Sequence, residues 1–417
     1  MMTTKEFEPM PARHKAALRF WAEGGANILH EDACLPALVI KETALDGNIR
    51  WMQRFADAMG VSLAPHGKTT MTPAIFQRQL AAGAWGLGVA TAFQAQTAME
   101  AGAENVIIAN QLLGRANMKL VASLLRPGRP SIYCCVDSLD NARQLSEFFA
   151  ARRQWISVLL EMGAPGGRCG CRTEQQAYAL AEHIAKLPGL MLAGVAFYEG
   201  VIHGDDERVD IAAIQALIQR AVTVCGTLQR NGDFAGAPEV LLTGAGSVWF
   251  DIVSRQLRDA SLSGVRHVIR PGCYVTQDHG IYQQAYAALQ RREPQAARQN
   301  GGLAPALELC ALVQSLPEPG LAVVGFGKRD VAFDAGLPQP FAQYRQGRRV
   351  DFAPGALRTR ALMDQHALLD RGPGLDLRIG DLLVFGSSHP CLSFDKWKCV
   401  FLVDEEYRVR EEWETVF

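Results

Sequence analysis

The stretch VSLAPHGK, residues 61–68, is a short apolar run that stops on a proline, a histidine and a glycine before ending at Lys68. An apolar run bounded by such breakers reads as a buried strand followed by a turn. The same grammar recurs seven times downstream. It appears in WGLGVAT (85–91), NVIIAN (105–110), SIYCCVDS (131–138), WISVLLEM (155–162), LMLAGVAFYEG (190–200), EVLLTGAG (239–246) and HVIRPGCYV (267–275). Segments of helical period separate these runs, for example 72–82, 92–101 and 173–187. Thr72-Pro73 is a helix-start signal and Gly102 a plausible stop. Continuous apolar strands suit parallel strands buried on both faces. Eight strands alternating with helices predict a (β/α)8 barrel, with an open doubly wound sheet as the runner-up.

Past about residue 288 the rhythm ends. QRREPQAARQNGG (290–302) is polar and rich in breakers, and reads as an exposed linker or loop. LELCALVQSL (307–316), LAVVGFG (321–327), DLLVFGSSHP (381–390) and KCVFLVDEEYRVREEWETV (398–416) then predict a second, mostly antiparallel β domain. The expected organisation is an N-terminal segment (1–40) packing with the β domain, a barrel (41–288) and a C-terminal β domain (289–417).

Bulk properties narrow the function classes. The 417 residues are 48% hydrophobic and 20% charged, with 42 basic and 43 acidic side chains and a net charge of −1. Such a balance gives no footprint for nucleic acid or a membrane surface. The basic cluster at 345–349 reads as a solvated loop. No run suggests a membrane span, and residues 1–23 lack the apolar core of a signal peptide, so a cytoplasmic protein is expected. Ten cysteines without a C-x-x-C pair fit reduced thiols, most of them in apolar runs.

In a barrel, chemistry gathers where strands end. Lys68 ends the first strand. Arg168 follows the fifth in GAPGGRCG (163–170), and Tyr198 and His203 follow the sixth in FYEGVIHG (197–204). TGAGS (243–247) ends the seventh and RPGCY (270–274) the eighth. Glycine lets backbone N–H groups approach an anion, and Thr243 and Ser247 add hydroxyls. Either turn alone is equally an ordinary tight turn. As a pair on adjacent strand ends, they favour a phosphate site. Lys68 is expected to face that site across the barrel mouth, partly buried and beside a cation. Those are the parts that pyridoxal phosphate requires.

APHGKT, FYEG, RPGCYV and DAGLP (334–338) resemble the D-threonine aldolase and eukaryotic-type D-serine dehydratase family, of alanine-racemase-like fold. The resemblance spans about 35–413. It implies that Lys68 binds pyridoxal phosphate covalently. It also implies that Arg168, Tyr198, Thr243, Gly272 and Cys273 line the cofactor; the glycine turns themselves add Gly244, Gly246, Ser247 and Tyr274, and His66 either contacts the cofactor or only shapes the Lys68 turn.

One late motif is SSHPCLSFDKW (387–397). His389 and Cys391 are two apart, so in an extended segment they point the same way. Imidazole plus thiolate suits zinc; a buried thiol beside a loop histidine would give the same spacing. The resemblance favours zinc, because dehydratases of this family use His-x-Cys where the aldolases use His-x-Asp. The reaction implied is loss of water and ammonia from a D-β-hydroxy amino acid, with Lys68 taking the α-proton and zinc drawing off the β-hydroxyl. An aldolase on the same scaffold, or a cofactor-carrying binding protein, are the alternatives. A homodimer is also implied. His203, Asp278, Lys328, Asp334 and His366 receive no role, the last because Ala367 replaces the family's usual glycine.

Overall fold

The computed structural model describes residues 25–125, 131–293 and 299–417. They divide into two compact units. One comprises 46–277 with 282–304; the other comprises residues up to Leu45, 278–281 and 305–417. Of the expected N-terminal segment, residues 1–24 lie outside the described residues, as do 294–298 of the expected linker.

Strand β1 (Ala37–Lys41) and helix α1 (Glu42–Met59) precede the barrel. The barrel strands are β2 (Ser62–Leu63), β3 (Leu87–Val89), β4 (Asn105–Gln111), β5 (Ser131–Val136), β6 (Ile156–Met162), β7 (Leu190–Phe197), β8 (Val240–Gly244) and β9 (Val265–Ile269). They coincide with the eight apolar runs. All neighbours pair in parallel, in the order β2-β9-β8-β7-β6-β5-β4-β3. The ring closes between β2 and β3, where the Trp85 N–H donates to the Leu63 carbonyl at 2.8 Å and the Gly88 N–H to Pro65 at 2.9 Å. The intervening helices are α2 (Pro73–Ala81), α3 (Ala92–Glu100), α4 (Arg115–Leu124), α5 (Leu139–Ala150), α6 (Glu174–Ile184), α7 (Glu207–Asn231) and α8 (Phe250–Ala260). An eighth, α9 (Ile281–Arg292), follows β9, so the unit runs on to Ala304 and its boundary falls beyond the expected residue 288. Pro73 opens α2 as expected, but the Thr72 hydroxyl bonds the Thr70 carbonyl and leaves the helix uncapped by its side chain.

The barrel is filled, as a packed core rather than a pore, by Ala64, Ile107, Tyr133, Cys135, Leu159, Ala193, Ala196, Leu241 and Val268. Gly194 is required where β7 meets β8, since a Cβ there would lie 1.9 Å from the Leu241 carbonyl oxygen. Helix α7 corrects one expectation, being long and apolar enough by length and composition to cross a membrane. Its apolar face, including Ile214, Leu217, Ile218, Val224 and Leu228, is instead buried in the barrel unit.

The second unit is a mostly antiparallel curled sheet. Its further strands are β10 (Leu307–Glu318), β11 (Leu321–Val324), β12 (Gln339–Arg345), β13 (Arg348–Val350), β14 (Leu357–Leu362), β15 (Ala367–Arg371), β16 (Leu382–Gly386), β17 (Cys399–Val403) and β18 (Val409–Glu414). The main path is β13-β12-β16-β10-β1-β17-β18, with β11, β15 and β14 branching from β10. Only β1 with β17 is parallel among these pairs. The sheet interior is Leu309, Val384, Phe385, Phe401 and Leu402, all buried.

Candidate active site

Lys68 sits in a single 3-10 turn (Gly67–Thr69) that leaves β2. His66 caps that turn, its Nδ1 accepting the Lys68 backbone N–H at 3.4 Å, which leaves the ring proton for Nε2. The imidazole pKa is held well below its usual value, first by burial and then by Lys68, Arg270 and Arg168. His66 is therefore neutral near pH 7. The Lys68 side chain is exposed rather than partly buried.

Barrel closure also corrects the place of Lys68. Because β2 pairs directly with β9, the Lys68 turn stands beside the RPGCY turn, not across the mouth from it. The His66 N–H donates to Pro271 at 3.1 Å. Thr69 Oγ1 and Cys273 Sγ lie 3.7 Å apart. Gly272 is tolerated there by size alone, as a Cβ would fall 2.6 Å from the His66 carbonyl and 2.8 Å from Thr69 Oγ1.

The two glycine turns are wired differently from expectation. The Ala245 and Gly246 N–H groups point to the Glu199 carboxylate, at 3.1 and 2.6 Å, and not to an open anion site. Glu199 is fully buried, which raises its pKa, while these N–H bonds pull it back. Ala245 takes φ 70°, a left-handed conformation that the carboxylate helps hold. In the other turn, the Gly272 and Cys273 N–H groups both converge on Ser247 Oγ at 3.0 Å. Thr243 accepts a short hydrogen bond from the buried Arg270, whose other terminal nitrogen donates to the Phe197 carbonyl at 3.0 Å. Gly244 packs against the Phe197 ring, with no room for a side chain. Tyr274 departs from its expected role: its buried hydroxyl accepts from Gln79 at 3.0 Å, inside the wall of the unit.

Arg168 lies 4.2 Å above the Tyr198 ring, a cation–π contact. Its loop is wound round Arg172, whose guanidinium donates to the carbonyls of Gly167, Arg168, Cys169 and Gly170. Arg220 ties the loop ends through the Gly163 and Arg172 carbonyls. Tyr198 keeps its phenol proton, since burial and Glu199 raise its pKa. Glu161, Asp137 and Cys169 complete the polar wall within 4.8 Å of one another, with Gln111 donating to Glu161 at 2.6 Å.

These donors fit pyridoxal phosphate. Ser247 Oγ accepts two N–H bonds and still has a proton to give an anion. Lys68, Arg270 and Arg168 all act on the neighbouring His66, a basic surround that suits an anionic cofactor. Sequence reasoning missed Glu199 and Arg270; the signal was a charged residue at the end of an apolar run.

In the second unit, His389 and Cys391 do not lie in an extended segment. Pro390 is helical (φ −75°, ψ −30°) and Cys391 opens a four-residue helix. The ligand atoms of His389 and Cys391 are nonetheless within 4.8 Å of each other. His389 Nδ1 lies 2.7 Å from Asp334 Oδ2. With Nδ1 turned to the carboxylate, Nε2 is the nitrogen suited to a metal, and an imidazole nitrogen with a thiolate is a fitting donor pair for zinc. Asp278 accepts from the Gly280 N–H at 2.8 Å, the geometry of a turn. Lys328 lies 5.8 Å from the Phe333 ring, and the His366 backbone carbonyl accepts the Met363 N–H in the β14–β15 turn. His203 lines a cavity of about 690 Å³ with Gly167, Asp210 and Arg220.

The chain belongs to the alanine racemase N-terminal domain family, which it matches over residues 40–250. Residues 306–403 match a putative serine dehydratase domain. Among individual proteins, it is 29% identical over 339 residues to a D-threonine aldolase from Arthrobacter sp., covering 81% of this chain and 80% of that one. It is 27% identical over 345 residues to the D-threo-3-hydroxyaspartate dehydratase of Delftia sp. strain HT23, covering 81% and 84%. The solved D-threonine aldolase from Filomicrobium marinum superposes with TM-score 0.76 at 26% identity, over 94% of this chain and 97% of that one. The expected family and alanine-racemase-like fold are borne out, as is the class of pyridoxal-phosphate-dependent lyase, since these relatives are aldolases and a dehydratase.

Proposed function

We propose that the protein is a pyridoxal-phosphate- and zinc-dependent dehydratase that removes water and ammonia from a small D-β-hydroxy amino acid, leaving a 2-oxo acid. The observation that carries the reading is the junction of the Lys68 turn with the Gly272–Cys273 turn, where two N–H groups converge on Ser247 and Lys68, Arg270 and Arg168 all act on His66. Lys68 would hold the cofactor covalently, with Ser247, Gly272, Cys273 and Thr243 near its phosphate and Arg168 and Tyr198 near its ring. When bound, pyridoxal phosphate supplies the electron sink that makes an α-proton acidic. His389 and Cys391 would hold zinc, which supplies a Lewis acid for a hydroxyl leaving group.

The remaining work falls to the chain. The Lys68 amine is the group to move the α-proton. Neutral His66 fixes the backbone of the Lys68 turn through Nδ1 and offers a donor at Nε2. Arg172 holds the loop that presents Arg168, and Glu199 holds the loop that presents Ser247.

Aldol cleavage is the second reading, favoured by the D-threonine aldolase match over 81% of the chain. Cys391 is the reason for preferring elimination. Purified enzyme incubated with D-serine, D-threonine and D-3-hydroxyaspartate should release 2-oxo acid and ammonia, and stop when a chelator is added. Glycine plus an aldehyde would establish the aldolase instead. No product with zinc present would leave a binding protein.

The ten cysteines are all free thiols, which supports a reducing, cytoplasmic setting. Exposed Phe333, Phe341, Met363 and Leu392 on the β unit support a homodimer, to be checked by sedimentation.

A further inference from the structure

We infer that Asp334, in the DAGLP motif, is the positioning residue that sets His389 as a metal ligand, an inference that rests on the zinc reading above. The contact is short, 2.7 Å between Nδ1 and the carboxylate. A carboxylate can only accept, so His389 must give it the Nδ1 proton. That choice fixes the tautomer and puts the ring lone pair on Nε2, the nitrogen that would face a metal. It also fixes the plane of the ring and makes Nε2 more basic.

The contact is built into the fold and is not a chance pairing of two surface groups. The segment that carries Asp334 is fastened to the segment that carries His389 on both sides. The Ala332 N–H donates to the buried Ser393 hydroxyl at 3.1 Å. Trp397 Nε1 donates to the Asp330 carbonyl at 2.7 Å. The Ser388 hydroxyl donates to the Gly336 carbonyl at 2.5 Å. Asp330 in turn closes its own loop by accepting the Gly327 N–H at 2.8 Å. Three cross-links around one carboxylate leave it little freedom to leave the imidazole. The His389 side chain is 19% exposed and that of Asp334 38%. A plain His–Asp ion pair at that exposure would contribute little to stability, which makes orientation of the ring the better account of so many constraints.

The test is zinc affinity of the full-length holoenzyme, measured by competition with a chromophoric chelator. Wild type, Asp334→Asn, Asp334→Glu, Asp334→Ala and His389→Ala are compared. Asp334→Asn keeps the size and an acceptor oxygen but loses the charge. It should weaken zinc roughly tenfold, and Asp334→Ala towards a hundredfold. Asp334→Glu should recover part of the loss. Visible absorbance of the bound cofactor and far-UV circular dichroism should stay at wild-type values in all of them. Zinc bound by wild type and lost in His389→Ala, yet held equally tightly by Asp334→Asn and Asp334→Ala, would overturn the inference alone. Zinc that wild type does not bind, or that His389→Ala keeps, would overturn the zinc reading and the inference with it.

Discussion

Two histidines, one in each unit, use the same ring nitrogen in opposite ways. His66 Nδ1 accepts a backbone N–H, so the imidazole presents a proton on Nε2. His389 Nδ1 faces a carboxylate, so the imidazole presents a lone pair on Nε2. The first arrangement makes a donor beside a lysine; the second suits the metal ligand proposed beside a thiol. Residue type did not decide this. What decided it was the partner each fold places at Nδ1, a turn amide leaving a barrel strand in one case and a tethered loop aspartate in the other. His267, on β9, is a third case: its Nε2 is buried without a hydrogen-bond partner, so it serves neither role.

The comparison can be broken at each histidine. The largest effect is expected at His389. His389→Ala should strip zinc and lower turnover by about 10²-fold or more, the scale of a lost transition-state stabiliser, with cofactor absorbance kept. Metal analysis and steady-state rates check it; unchanged zinc would remove His389 from the ligand set. A smaller effect is expected at His66, where Ala removes the cap on the Lys68 turn and should lower stability by about 1 kcal/mol. His66→Asn, which can cap, should recover most of that loss in a denaturant titration, and zinc should not change in either variant.

At pH 7.5 the smallest effect is expected at His267, which acts on stability only as pH falls. Burial lowers its pKa in the folded state. The unfolded chain, with the usual value of about 6.5, then binds the proton first as pH falls. The stability that goes with neutral His267 is therefore complete above about pH 6.5 and declines below it, by at most about 1.4 kcal/mol per pH unit. His267→Leu should flatten that decline in urea melts at pH 7.5 and 5. An identical slope in wild type and variant would show that the ring has a partner or is solvated.

Much of the barrel was legible in the sequence. Parallel strands buried on both faces read as apolar runs, and all eight runs became strands. The wiring at their ends was not legible, because it depends on which strands become neighbours. Closure of the ring brought Lys68 beside Gly272, although seven strands separate them along the chain. Glu199 and Arg270 were visible as charges at the ends of apolar runs, but their partners, the Ala245 and Gly246 amides and the Thr243 hydroxyl, lie on or just after a different strand, β8. The His389–Cys391 pair was legible from spacing and resemblance, yet the local backbone is helical at Pro390 and not extended. Asp334 lay in a recognised motif without a task until the tethered loop placed it at His389.

The central claim is that Lys68 carries pyridoxal phosphate. The most direct test is to reduce the cofactor-loaded enzyme with borohydride, digest it and map the modified peptide by mass spectrometry. The account predicts a phosphopyridoxyl group on Lys68, and loss of both the label and the visible absorbance in Lys68→Ala. A label on another lysine, or a visible band that survives in Lys68→Ala, would contradict it.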